Sequence, residues 1–383
     1  MLRFLLLRFL ELRLRVLRLR VLRLRVLRRG PLLALVALAA AVAGCSPAPS
    51  PAPAASAVAS PAASSVAPSV APASPARGDV TLAFGGDVHF TDRTAKLLDD
   101  PAHAFGPIAA VLADADLTMV NFESAVTSRG TAQPKTFHFR TVPAAFDAVK
   151  AAGIDLVTFA NNHVLDYGPV GLSDTLAAVH GAGMPYVGIG SDAAAAWAPY
   201  LTTIKGRRLA FIGVSQVEEL ASSWVATASR PGEANAIDLA HTLAAVTAAK
   251  KQADTVIVFM HWGTEGNSCP NAAQRALAPQ LGAAGADIII GAHAHTLQGS
   301  GWLGRTFVAY GMANFLWWLP SYSTETGVLK LTLHSDGTVA DRFYPAIVSD
   351  TGQPVPANGA PAARISARYA GLRTCAGLAA APS

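Results

Sequence analysis

"DIIIGAHAHTLQG", residues 287–299, places the first constraint on the fold. Three consecutive isoleucines between Asp287 and Gly291 have the length and branching of a short strand buried on both faces. The run opens directly onto His293 and His295. In extended backbone, side chains two apart point to the same side, so the spacing predicts two imidazoles aimed at one point beyond the strand's end. The competing reading is a pair of loop histidines hydrogen-bonded to the surface, and an HxH pair alone does not separate the two.

The surrounding chain repeats the same pattern. Short β-rich apolar runs end at once in polar residues with ligand chemistry: 80–90 in Asp87 and His89, 117–124 in Asn121 and Glu123, 155–168 in Asn161, Asn162 and His163, 255–265 in His261 and Glu265, and 306–315 in Asn314. Alanine-rich helical stretches lie between them, at 143–152, 171–182, 238–252 and 272–285. Strands alternating with helices predict a layered α/β domain, in which ligands gather beyond the carboxyl ends of the strands. Of ten histidines, five (His89, His163, His261, His293 and His295) fall at those ends. His180 and His241 fall in helical stretches, and His334 precedes a turn. With Asp87, Glu123 and Asn162, the five form a nitrogen and oxygen donor set without cysteine. The set is larger than one four-coordinate ion uses, which predicts two adjacent divalent metals, with Mn, Fe and Zn all suited to such ligands.

In order, "GGDVH" (85–89), "NFE" (121–123), "ANNHVLDYG" (160–168), "HWGTE" (261–265), "GAHAH" (291–295) and "YGMANF" (310–315) resemble the CapA family of capsule and poly-γ-glutamate synthesis proteins, itself similar to the calcineurin-like metallophosphoesterases. The resemblance implies a four-layer αββα metallophosphoesterase-like sandwich in a single folded domain over residues 79–350. It implies Asp87, His89 and His295 at a first metal, Asn162, His261 and His293 at a second, Glu123 bridging both, and His163 as the catalytic residue facing substrate. Two departures stand out: Glu123 is one methylene longer than the usual aspartate, and Asn161 replaces a glycine. "KTFHFR" (135–140) also matches a feature of that family, with Lys135 and Arg140 either holding an anionic group or serving as ordinary surface charges. Asp166 and Glu265 either orient histidines or face solvent.

Outside that domain the composition changes. The formal net charge of the chain is +5, but residues 1–30 carry ten arginines against Glu11, so the remainder is acidic and nothing in it predicts a nucleic-acid partner. "RLRVL" occurs at 13–17, 18–22 and 23–27. Residues 1–25 read as an over-extended start or as a basic membrane-surface helix. A start at Val26 leaves "VLRRG" as a charged leader before "PLLALVALAAAVAGC" (31–45), an apolar run of signal-peptide length. Val42-Ala43-Gly44-Cys45 resembles a bacterial lipoprotein cleavage box, which implies removal of residues 1–44, lipidation of Cys45 and an exported, membrane-anchored protein. Ordinary signal cleavage nearby is the alternative. Residues 46–76 contain only Ser, Pro, Ala and Val. They read as an extended disordered tether, within a linker at 45–78, with a reach on the order of 90 Å. Outside the cytoplasm, Cys269 and Cys375 are expected either as a disulfide or as two buried thiols. The tail at 351–383 carries no assignment beyond a strap held by Cys375.

Two functions of different class follow from the residues and the resemblance. One is a metal-dependent hydrolase acting on a phosphoester or on an acidic envelope polymer such as poly-γ-glutamate. The other is a non-catalytic component that binds a polyanionic chain within a polymer synthesis or export complex, together with other polymer-synthesis proteins. The anchor is testable separately. Expressed in a bacterial host, the full chain is expected in the membrane fraction, and Cys45→Ser is expected in the soluble envelope fraction. Equal partitioning of the two would exclude lipidation at Cys45.

Overall fold

The computed structural model describes residues 77–318 and 321–383. The leader, Cys45 and the tether at 46–76 lie outside the described residues. The chain lays down the strands of two sheets in three groups. The first is β1 (Val80–Val88), β2 (Leu117–Phe122), β3 (Leu156–Thr158) and β4 (Tyr186–Val187). The second is β5 (Tyr200–Ile204), β6 (Arg207–Ser215), β7 (Thr255–Trp262), β8 (Ile288–His293), β9 (Leu297–Leu303) and β10 (Thr306–Met312). The third returns as β11 (Asn314–Leu316), β12 (Glu325–Leu333), β13 (Val339–Val348) and β14 (Pro354–Pro356).

The first and third groups form one sheet in the order β14-β13-β12-β1-β2-β3-β4, with β11 paired alongside β1. The second group forms another, β9-β10-β8-β7-β6-β5. The first sheet is antiparallel from β14 to β1 and parallel from β1 to β4, and the second is parallel at its centre and antiparallel at both edges. The helices over the outer faces are α1 (Ala145–Ala151) and α2 (Gly168–Ala182) on the first sheet, and α3 (Leu239–Gln252) and α4 (Ala272–Ala284) on the second.

Three apolar clusters fill the three spaces between four layers. Leu82, Phe84, Met119, Phe211, Phe259, Ile288 and Ile290 lie between the sheets. Val120, Phe122, Phe146, Leu172 and Val179 pack the first sheet on its helices. Ile212, Val258, Ile289, Val246 and Leu281 do the same for the second. The isoleucine triplet divides as strand alternation requires: Ile288 and Ile290 face the other sheet, and Ile289 faces the helices. A strand clothed on both faces has no polar side to show, which is why the run is continuous.

Strands β6, β12 and β13 were not among the runs singled out from the sequence, because none ends in ligand chemistry. The C-terminal tail is largely helix, α5 (Gly359–Ala376). Ile365 and Tyr369 of α5 pack against Leu297 of the second sheet, and Tyr369 stacks on Phe343 of the first at 4.1 Å between ring centroids. The helix therefore straps the edges of both sheets. Arg364 and Arg368 pair with Glu325, and Cys375 forms a disulfide with Cys269.

This bridge closes a sequence separation of 106 residues, long enough for a substantial restriction of the unfolded chain. Replacing both cysteines by serine is expected to cost about 2–4 kcal/mol, read from urea unfolding midpoints. A change under about 0.5 kcal/mol would show that α5 holds by packing alone.

Candidate metal centre

The polar cluster forms where β1, β2, β7 and β8 end. Strand β1 carries one extra residue against β2, since Phe84 pairs with Met119 and Asp87 with Asn121. Such a bulge re-aims the residues beyond it. It also requires glycine: a Cβ on Gly86 would lie 1.8 Å from the Ala313 carbonyl oxygen. The neighbouring Asp87 N–H donates to that same oxygen at 3.0 Å. "GGD" thus seats Asp87 by backbone contact with β11's approach.

The expected reach of HxH from extended backbone needs correction. His293 has φ 85° and His295 φ 54°. Both lie in the left-handed region, which costs a non-glycine residue on the order of 1–3 kcal/mol. The His293 N–H donates to Asp87 Oδ2 at 3.2 Å, holding the first of these turns. The imidazoles meet the cluster through two left-handed residues, not through strand alternation.

The donor atoms lie close together. Asn162 Oδ1 is 2.8 Å from His261 Nε2, which is 3.1 Å from His293 Nδ1. Asp87 Oδ2 is 3.3 Å from His295 Nδ1. Glu123 belongs to two groups of mutually close donors, one with Asp87 and His261 and one with His293 and His295. Bonds of about 2.0–2.1 Å to a tetrahedral ion set its donors about 3.3 Å apart, close to these separations. Glu123 Oε1 and His89 Nδ1 are buried and lack a hydrogen-bond partner among the described residues. Buried polar atoms are normally satisfied, and a divalent cation would satisfy these. His89 stands at the margin, with Nε2 accepting from the Trp318 N–H at 3.4 Å.

Electrostatics point the same way. Burial, then the neighbouring histidines, hold His89 and His261 well below the ordinary imidazole range. Burial and His295 bring His293 down to about 3. These rings are neutral and keep the lone pairs that ligation needs. Burial and the Asp87 charge push the Glu123 carboxyl well above its usual range. Burial also opposes ionisation of Asp87, but contacts with His295 and Asn121 outweigh it and hold the group low. Two carboxylates in one dry site repel each other, and a cation between them removes that cost. The residues fit divalent metal ions.

Asn121 and Asn161 brace the cluster. The Asn121 amide nitrogen lies 2.8 Å from Asp87 Oδ1 and 3.1 Å from Glu123 Oε2. Asn161 donates to Asn121 Oδ1 at 3.0 Å and to the Phe122 carbonyl at 2.9 Å, and accepts from the His163 N–H at 3.0 Å. The asparagine that replaces glycine therefore ties the end of β2, which carries Glu123, to its own segment with Asn162 and His163.

His163 is held from two sides. Its Nδ1 meets Asp166 Oδ2 at 2.7 Å, and its Nε2 faces Glu123 Oε1 at 3.8 Å. Phe139 stacks between His163 and His89, with centroid distances of 4.0 and 4.5 Å, and its N–H donates to Asp166 Oδ2 at 2.6 Å. No signal in composition or spacing marks Phe139, because its role is set by what lies on either face.

The structure places the two expected anion-binding cations differently. The Lys135 side chain is 2% exposed, with Nζ 2.9 Å from Asp166 Oδ1 and 3.0 Å from Glu219 Oε2, so its charge is spent internally. The Arg140 guanidinium lies 3.3 Å from the centre of the Tyr167 ring and donates to the Ser128 carbonyl, outside the pocket beside the cluster. Glu265 is exposed and accepts from the Tyr322 hydroxyl, with no histidine to orient. Trp262 is core, its indole N–H donating to the Tyr310 carbonyl at 2.8 Å.

Two sheets between two layers of helices, with a buried histidine and carboxylate cluster at the strand ends, make the four-layer αββα sandwich that the motifs implied. The chain belongs to the family described as bacterial capsule synthesis protein PGA_cap, whose model matches residues 81–317. It is 27% identical over 293 residues to a capsule biosynthesis protein CapA of Bacillus anthracis, covering 73% of this chain and 70% of that protein. It is 28% identical over 269 residues to a PGA biosynthesis protein CapA of Bacillus subtilis, covering 68% of this chain and 69% of that one. A probable polyglutamine synthesis accessory protein of Mycobacterium tuberculosis is 35% identical over 202 residues, and this chain spans 53% of its length and matches over 50% of its own. Among solved structures, a Mycoplasma pneumoniae phosphatase aligns with a TM-score of 0.46 at 12% identity, covering 71% of this chain and 94% of that one. An NAD nucleotidase of Haemophilus influenzae aligns at 0.43 and 14%, covering 76% and 62%.

The Lys135 assignment is open to a stability test. Lys135→Met leaves Asp166 buried without its cation and is expected to cost about 3–5 kcal/mol. Adding Asp166→Asn should recover part of that loss in denaturant titrations. A single variant as stable as the parent would return Lys135 to a surface role.

Proposed function

We propose that the chain is an exported, lipid-anchored hydrolase that holds two divalent ions and acts on an anionic substrate in capsule or polyglutamate synthesis. The observation that carries this reading is Glu123, whose buried carboxylate is common to two groups of donors while the proton-handling nitrogen of His163 faces it. Asp87, His89, Glu123, Asn162, His261, His293 and His295 would hold the ions. A pair of such ions supplies Lewis acidity and a water activated near neutral pH.

The chain's own residues do the rest. Asp166 accepts from His163 Nδ1, which fixes the ring and leaves Nε2 as the atom that takes up and hands on a proton. Burial raises Asp166 to about 6 against the downward pull of Lys135. Lys135 therefore keeps this carboxylate ionised beside His163. Phe139 and Trp317 wall the imidazoles of His89, His163 and His295 from solvent, which strengthens the local electrostatics. The names of the relatives support a role in capsule or polyglutamate synthesis. The Cys45 box and the tether support a position at the envelope surface, among other polymer-synthesis proteins.

Elemental analysis of the full chain and of His293→Ala, beside assays with a generic phosphodiester and with poly-γ-glutamate, tests this reading. About two ions per chain are expected, lost in the variant together with turnover. Metal without turnover of either substrate would replace the hydrolase with a polymer-binding component. Absence of metal from both proteins would overturn the site.

A further inference from the structure

Beside His163 and His295 the surface opens into a pocket of about 130 Å³. Its walls are aromatic: Phe139 and Trp317 at the base, and Phe137, Trp318 and Tyr322 toward the mouth. Phe137 is 54% and Tyr322 63% exposed, a costly way to leave two large rings unless something covers them. The one carboxylate that lines it is Glu265, and among the described residues no lysine or arginine does. The Tyr322 hydroxyl donates to Glu265 Oε2 at 2.8 Å, tying the carboxylate to the aromatic wall. Glu265 has no cationic partner among the described residues.

This lining discriminates by charge. An anionic group would meet a carboxylate and aromatic rings, with no lysine or arginine among the described lining residues. A neutral alkyl group would take water from the Glu265 carboxylate and leave it only the Tyr322 hydroxyl, at a cost. An organic cation satisfies both features, since ring faces attract an ammonium within about 6 Å and the carboxylate supplies the opposite charge. The volume suits a small head such as trimethylammonium, not a second polymer unit.

We infer that this pocket is a subsite for an alkylammonium group, carried by the substrate a few atoms from its reacting anionic centre. The substrate is then zwitterionic, with its anion at the donor cluster and its cation against Glu265, Trp318 and Tyr322. The anionic half rests on the hydrolase reading above; the ammonium half rests on the pocket alone.

The experiment separates the two halves. Choline and its neutral carbon isostere, 3,3-dimethylbutanol, are titrated calorimetrically into the full chain in the presence of a chelator, so that no metal is involved. Choline is expected to bind about tenfold more tightly than the isostere, with the ratio falling to near one in Glu265→Gln and in Trp318→Leu. Circular dichroism checks that both variants are folded. Equal affinity for the two probes, or a preference that survives Glu265→Gln, would overturn the ammonium subsite. Phosphocholine and inorganic phosphate are then compared on the Mn²⁺-loaded chain. Phosphocholine binding more tightly than either choline or phosphate supports a zwitterionic substrate. A choline preference to which phosphate adds nothing would overturn the adjacency to the metal centre, and would count against the hydrolase reading while the pocket stood.

Discussion

The burial of Asp87 and Glu123 side by side is the constraint on which the rest of the structure depends. Taking each charge out of water costs several kcal/mol, and the two repel one another besides. The Asn121 amide nitrogen, which contacts both carboxylates, offsets a part of this. His261 and His293 add no charge to offset the remainder, because their own burial holds them unprotonated. The arrangement therefore makes physical sense as a receptacle for cations.

Holding that arrangement absorbs strain that the two-sheet core must cover. His293 and His295 occupy left-handed backbone, and β1 bulges at a glycine against the Ala313 carbonyl. These costs fall at the ends of strands whose middles are clothed on both faces, between sheets and under helices. A core of that extent gains from apolar burial what the rim loses. The strap helix α5 and its disulfide close the edge where the sheets would otherwise part.

Around the donor cluster, the segment from Lys135 to Phe139 acts as one clamp. Lys135 and the Phe139 N–H reach the two oxygens of Asp166, and the Phe139 ring separates His89 from His163. The cations expected to receive substrate are thus turned inward or onto Tyr167, and the accessible wall is aromatic with one acid. The pocket beside the cluster therefore offers an anionic group neither of the two cations that the neighbouring sequence supplies.

The amino-acid sequence by itself determined the alternation of strands and helices, the four outer helical stretches to within a few residues, and which polar side chains stand at the strand ends. Each follows from a local rule: the isoleucine triplet needs two apolar faces, and Asp, Glu, Asn and His at strand ends carry ligand chemistry wherever the strands go. Tertiary structure alone decided how those donors are aimed and what stands beside them. Left-handed backbone at His293 and His295 is unreadable in residues that normally avoid it. Lys135 looks like a surface charge until Asp166, thirty-one residues later, is brought against it. Phe139, Asn121 and the Glu265–Tyr322 pair act only through partners distant in sequence. The reason is physical: periodicity and residue type specify what an element buries, whereas the direction of a side chain in a site is a sum of contacts that exist only once the sheets have packed.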